Sequence, residues 1–188
     1  MKQQLTVTMV TKNQYKITSM REVLKPYGIK LNVKSFDVPE IQADSCEEVA
    51  MFSAQWAANK CNRPVIKADA GLFIEVLNGL PGIYTSQFQK KLGPEKVLTL
   101  MMGETNRKAK IVYALAFCAP HSKPKVFVSG CNGIIANKAA GKEGMLIDYV
   151  FIPEGSEYTM GQLKEIDPKK RDAAWGDAEM QFIKWFLG

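Results

Sequence analysis

Apolar and polar residues alternate from the start of the chain. Leu5, Val7, Met9 and Val10 interleave with Thr6, Thr8 and Thr11, the period-two pattern of a β-branched strand, so the stretch Met1–Val10 is expected to enter the fold as a first strand. From Gln14 to about Pro26 the period changes: Ile17, Met20, Val23 and Leu24 recur at helical spacing, and Gly28 stands at the stop. Lys30 to Val38 returns to strand. Ser45 or Glu47 to Asn59 predicts a helix with Val49, Phe52 and Trp56 on its apolar face. Short strands are expected at Val65–Ala68 and Leu72–Val76, helices at Ile83–Leu92 and from Pro94 to near Gly103, then two long strands at Lys108–Cys118 and Lys125–Ile135. Gly130 and Gly133 suggest a bulge or bend in the second of these. A strand over Leu146–Ile152, a short helix capped by Thr159 and a last helix opened by Pro168 complete the chain. The stripe Trp175, Ala178, Phe182, Trp185 and Phe186 reads as core packing. The mixture of strands and helices, with long strands late, predicts an α/β fold: one domain, 1–188, on a twisted mixed sheet with flanking helices.

Composition narrows the functional classes. Of the 188 residues 46% are hydrophobic, ordinary for a globular protein, and no apolar run approaches a membrane span. The N-terminal stretch lacks a signal-peptide body, so an intracellular, cytoplasmic protein is expected. The four cysteines, Cys46, Cys61, Cys118 and Cys131, are widely spaced, and His121 is the sole histidine, set in a polar loop. That argues against a zinc site and against a histidine-activated nucleophile. The net charge of +6 suits an anionic partner, and because the basic residues are spread along the chain they suit nucleotide phosphates better than nucleic acid.

Candidate chemistry gathers at three places. In Lys67–Tyr84, Asp69 follows a short apolar strand, with Gly71 after it and the turn-formers Gly79, Pro81 and Gly82 beyond. An acid at a strand end followed by Gly can hold a metal or a water where a substrate approaches; a capping Asp in a hairpin is the other reading. Thr11–Lys16 forms a strand-to-helix loop in which Asn13 can cap the helix and Lys16 charges its first turn, a setting that attracts phosphate or serves capping alone. Glu40 lies past the second strand, where ligands collect in open sheets, or is a solvated turn acid.

Taken together these stations resemble the inosine triphosphate pyrophosphatase family, hydrolases of non-standard purine nucleoside triphosphates. T-K-N-Q-Y-K is similar to the family's T-G-N-x-x-K, and D-V-P-E-I-Q to its D-x-P-E-x-Q. A-D-A-G-L with G-L-P-G-I-Y is similar to D-D-S-G-L with G-x-P-G-x-Y; G-M-L-I-D-Y-V-F to G-F-G-Y-D-P-x-F; and T-M-G-Q-L to T-x-A-E-M. The resemblance implies an elongated two-lobed fold with the active site in the cleft, a homodimer, Mg²⁺ or Mn²⁺, and hydrolysis between the α- and β-phosphates. It makes Glu40 and Asp69 metal ligands and Asp69 also the residue that activates water. It puts Thr11, Lys12, Asn13, Lys16 and Ala70 against the phosphates, and Met145 and Asp148 at the base.

The chain departs from the family at several of these positions. Ala68 replaces the first Asp of the pair, Lys12 the loop Gly, and Ser53 a helix Lys. Met145 and Ile147 stand where aromatics stack on the base, and S-H-R is missing, with Lys170 and Arg171 the nearest basic residues. An active pyrophosphatase with altered base preference is one expectation. A diverged nucleotide-binding regulatory protein without turnover is the other.

Overall fold

The computed structural model describes residues 4–188; Met1–Gln3 of the expected first strand lie outside the described residues. Strand β1 (Thr6–Val10) pairs in parallel with β2 (Lys30–Lys34) and with β3 (Val65–Ile74). On the far side of β3 the sheet becomes antiparallel, through β5 (Lys108–Cys118), β6 (Lys125–Ile135) and β7 (Phe151–Pro153). The two-residue β4 (Pro81–Gly82) adds to the end of β3. The order is β2-β1-β3-β5-β6-β7, a mixed sheet as expected.

Helices pack on both faces. They are α1 (Gln14–Leu24), α2 (Cys46–Cys61), α3 (Thr85–Lys91), α4 (Gly93–Leu100), α5 (Leu146–Val150), α6 (Met160–Ile166), α7 (Pro168–Ala174) and α8 (Ala178–Leu187). Capping fixes several starts: Asn13, Ser45, Thr159 and Asp167 each accept a backbone N–H of the first turn with the side chain. Among the described residues no helix is long and apolar enough to cross a membrane.

The three long strands pack against three apolar clusters. At one end Leu72, Ile74, Ile111, Ile135 and Phe151 pack under α4, α5 and α6. At the other, Val7, Met9, Ile66, Leu115 and Phe127 pack on α1 and α8, while Val10, Val65, Ala114 and Ala116 meet α2 on the opposite face. The result is two lobes on a shared sheet.

Several expectations change. The strands expected at Val65–Ala68 and Leu72–Val76 are one ten-residue strand. Gly71 does not break it; a Cβ there would sit 2.6 Å from the Gly82 carbonyl oxygen, so glycine is needed for β4 to close on β3. Asp69 is therefore interior to a strand, opposite Ala114, and not at a strand end. Strand β2 stops at Lys34, so Phe36–Val38 and Glu40 belong to an irregular segment. Helix α2 buries Cys46, Ala50, Ser53, Ala54, Ala57 and Ala58, not the Val49–Phe52–Trp56 face, because small side chains let it lie close to the sheet. The register of β6 runs unbroken through Gly130 and Gly133; there is no bulge, and a Cβ at Gly130 would meet the Ile111 carbonyl at 2.1 Å. Leu146–Ile152 divides into α5 and β7. Leu146, Ile147 and Val150 bury one face of a short helix, and the Asp148 carboxylate accepts the Met145 N–H 2.8 Å away at its start.

The helix expected from Pro168 is two helices, broken at Trp175–Asp177. Ser129 on β6 holds that corner, donating to the Trp175 carbonyl at 2.7 Å and accepting from the Ala178 N–H at 3.2 Å.

Candidate active site

The site begins where β1 stops. β1 pairs with β3 only as far as Met9 opposite Ile66, and β3 continues alone on that side. The vacated edge is filled by Thr11–Asn13 and the first turn of α1. Thr11 Oγ1 accepts the Asn13 N–H at 3.1 Å, and Asn13 Oδ1 accepts the Lys16 N–H at 3.2 Å. Two lysines then cap carbonyls across the gap. Lys16 Nζ donates to the Ala68 carbonyl at 2.8 Å, and Lys67 Nζ to the Val10 carbonyl at 3.0 Å. An ammonium has three donors, so each keeps donors for an anion.

Asp69 lies close enough to both ammonium groups to feel their charge, and its buried Oδ2 has no hydrogen-bond partner among the described residues. Burial pushes its carboxyl above the usual range, against the pull of Lys16 and the thiol of Cys46. Burial also lowers Lys16, and it lowers Lys67 to about 8 with Lys16 adding to the effect. Cys46, at the start of α2, is pushed well up by burial and by the Asp69 charge, so it stays a neutral thiol. Two lysines against one carboxylate leave a positive, partly desolvated site, the complement of phosphate.

Other expected residues fall elsewhere. Lys12 turns outward and pairs with Asp37 at 2.6 Å, both exposed. That pair ties the irregular segment holding Glu40 to the loop, but Glu40 itself is exposed. Among the described residues no group of three or more His, Cys, Asp or Glu side chains gathers as a metal cage.

From Lys16 and Ala70 a cleft of about 300 Å³ runs between the lobes, bordered by Tyr15, Tyr113, Met145, Trp175 and Glu179. Met145 is on its wall as expected, whereas Ile147 is buried in the neighbouring core. The aromatic surface that Met145 and Ile147 lack comes instead from Tyr15, Tyr113 and Trp175, so Trp175 is a cleft residue as well as a packing one. Tyr113 donates to Glu179 Oε1 at 3.0 Å, and burial raises the Glu179 carboxyl despite that bond. Lys170 does not border the cleft; its ammonium donates to the Gly155 carbonyl. Arg171 is buried beside the cleft, with Nη2 on Asp148 Oδ1 at 3.0 Å and Nη1 on Tyr15 Oη at 2.7 Å and Asp172 Oδ1 at 3.4 Å, while its Nε has no hydrogen-bond partner among the described residues. Arg171 thus joins α7 and α5 to α1 across the lobes.

Lys67, Trp175, Glu179 and Cys46 were not among the site residues named from sequence. For Lys67 a signal existed, since it lies two residues before Asp69 and so on the same face of β3.

Comparisons with known proteins show what the chain is similar to. The model of the Ham1 family matches residues 7–185. A dITP/XTP pyrophosphatase of Methanopyrus kandleri is 37% identical over 96% of this chain and 95% of its own length, and one of Methanosarcina mazei is 37% identical over 97% of each. A HAM1 protein from Coxiella burnetii superposes with a TM-score of 0.83 at 26% identity, covering 97% of this chain and 98% of that one. The Ham1 protein of Staphylococcus aureus does so with a TM-score of 0.79 at 26% identity, over 97% of each.

Proposed function

The chain belongs to the Ham1 family, and from that premise we propose that it hydrolyses non-standard purine nucleoside triphosphates (ITP, dITP, XTP) to the nucleoside monophosphate and pyrophosphate. The observation that carries this reading is the buried Asp69 carboxylate, one oxygen unpartnered among the described residues, beside two lysine ammonium groups, one of which, Lys16, borders the cleft of about 300 Å³.

In this reading Lys16 and Lys67 bind the triphosphate, and the backbone N–H groups at the start of α1 assist them. Asp69 orients the attacking water and takes its proton. A carboxyl raised by burial is a stronger base than an exposed one, and Lys16 and Lys67 beside it favour its charged form. Phosphoryl transfer asks chiefly for positioning and neutralised charge, which this arrangement supplies.

The unpartnered Asp69 oxygen is also the hard donor that Mg²⁺ or Mn²⁺ takes, and such ions need only one or two carboxylates together with substrate phosphates. Asp69 would hold the ion, with Glu40 as second carboxylate from the segment that Lys12 and Asp37 tie to the loop. A bound ion would neutralise phosphate charge. A homodimer is part of the same proposal.

The test is pyrophosphate release from ITP, dITP, XTP, ATP and GTP with Mg²⁺, and again with excess chelator. Release that chelation abolishes is expected. No release from any triphosphate, with binding retained, would make the chain a nucleotide-binding regulator instead.

A further inference from the structure

We propose that the base end of the cleft takes a positively charged purine, one alkylated on its imidazole ring, in preference to a neutral one. The triphosphate half of such a substrate rests on the pyrophosphatase reading above.

The aromatic walls come first. Tyr113 and Trp175 border the cleft and meet edge to face, with ring centroids 6.3 Å apart and planes at 72°, so they make two sides of a corner. Tyr15 is a third aromatic on the border, but the guanidinium carbon of Arg171 already lies 5.6 Å from its ring centroid. A cation over an aromatic face is drawn by the negative lobe of the ring quadrupole, and aromatic cages hold quaternary ammonium groups in this way. A purine alkylated at its N7 atom is a fixed cation that is also flat, so it is stacked and attracted at once. The cleft volume of about 300 Å³ is enough for one such ring system.

Charge points the same way. Apart from Lys16 at the phosphate end and the two tyrosines, the ionisable groups on the border are the carboxylates Glu22, Asp172 and Glu179. Glu22 and Asp172 are exposed; Glu179 is half-buried and fixed by Tyr113, which donates to its Oε1 at 3.0 Å. Arg171 counts on the other side. It pairs with Asp148 at 3.0 Å and with Asp172 at 3.4 Å, and its Nε has no partner among the described residues. One guanidinium thus stands against the carboxylates of Glu22, Asp148, Asp172 and Glu179, and this end of the cleft is negative. Burial raises the Glu179 carboxyl, and the charge of Asp172 adds to that against the Tyr113 hydrogen bond. A cation in the cleft favours the ionised form and so offsets a cost that the ligand-free protein carries; a neutral base does not.

The cleft therefore has opposite polarity at its two ends, Lys16 and Lys67 at one and carboxylates at the other. A nucleotide with an anionic tail and a cationic ring matches both. The choice is made on charge, not on the pattern of carbonyl and amino groups around the ring.

The experiment measures calorimetric binding, without divalent ion, of GTP, 7-methylguanosine triphosphate and 7-methyl-7-deazaguanosine triphosphate. All three share the same carbonyl and amino groups. The last carries the methyl group without the charge. Slightly acid solution keeps the methylated base fully cationic. On the unaltered protein, Kd for the cation is expected to lie about 10- to 100-fold below that of either neutral base, from the aromatic faces and the carboxylate together. Glu179→Gln, which keeps an acceptor for Tyr113, and Trp175→Leu, which removes one aromatic side, should each cut that preference by about threefold or more. A cation bound no better than its uncharged isostere overturns the inference, as does a preference that either variant leaves unchanged. The comparison on the unaltered protein needs no variant to fold. Tight binding of the cation with no pyrophosphate release from any triphosphate would end the catalytic reading alone; release from ITP with equal binding of the three nucleotides would end this inference alone.

Discussion

The two ends of the cleft are made in different ways. At the phosphate end three ionisable groups, Lys16, Lys67 and Asp69, sit on a strand and a helix start, and each ammonium is fixed by a backbone carbonyl 2.8 or 3.0 Å away. At the base end Arg171 pairs with Asp148 and Tyr15 within the protein, and the cleft wall is aromatic surface with carboxylates, of which Glu179 is half-buried and Glu22 and Asp172 are exposed. Fixed, uncompensated charge suits a reaction whose difficulty is electrostatic. Aromatic surface suits the stacking of flat rings. Losing a residue should therefore cost turnover at the first end and selectivity or stability at the second.

The sharpest break is Asp69→Asn. It keeps the size of the side chain but removes charge and basicity, so kcat should drop by roughly 10²–10⁴-fold, the usual worth of a positioned base. Stability should not fall, because a carboxylate raised by burial costs the fold its charged form. Pyrophosphate release and thermal unfolding on one sample decide this; near-unaltered turnover in a folded variant would remove Asp69 from the chemistry.

Next comes Arg171→Met, where the effect should be on the fold. It leaves Asp148 buried without its partner, a change that usually costs about 3–5 kcal/mol. Denaturant unfolding should show that loss. A variant as stable as the parent would mean that the link between the lobes carries little.

Lys67 gives a pH signature. Its ammonium titrates near 8, so triphosphate binding should weaken as pH rises through 8, and Lys67→Met should lack that limb in a KM-versus-pH profile. The sign for stability is opposite. With the folded value near 8 and the unfolded value near 10.5, the unfolded chain holds more protons between them. Stability of the ligand-free protein should therefore rise over that window, and Lys67→Met should flatten the rise.

The smallest effect is expected from Trp175→Ala. Loss of a stacking face costs about 1–3 kcal/mol of base affinity, seen in KM with kcat little changed. An equal fall in kcat would place Trp175 with the phosphate end.

What could be foreseen from sequence follows the same division. Thr11–Lys16 was legible because capping is local: Asn13 and Lys16 lie three residues apart and are bonded as the pattern requires. Asp69 stood out by its neighbours, yet its setting was misjudged. Whether Gly71 ends a strand or lies within one depends on Gly82 packing against it from beyond the turn. The base end depends on still longer range. Trp175 enters the cleft because Ser129, on a strand, holds the corner, and Arg171 is tied to Tyr15 and Asp148, which reach it from α1 and α5. The helix at Leu146–Val150 was hidden because its few apolar residues suit either a strand or one buried helical turn; Asp148 decides through the Met145 N–H.

The measurement that bears most directly on the central claim is a product analysis by ³¹P NMR with ITP, Mg²⁺ and the unaltered protein. Inosine monophosphate and pyrophosphate should appear in equal amounts, with no orthophosphate. Inosine diphosphate with orthophosphate, or no product at all, would contradict the assignment of this cleft to cleavage between the α- and β-phosphates.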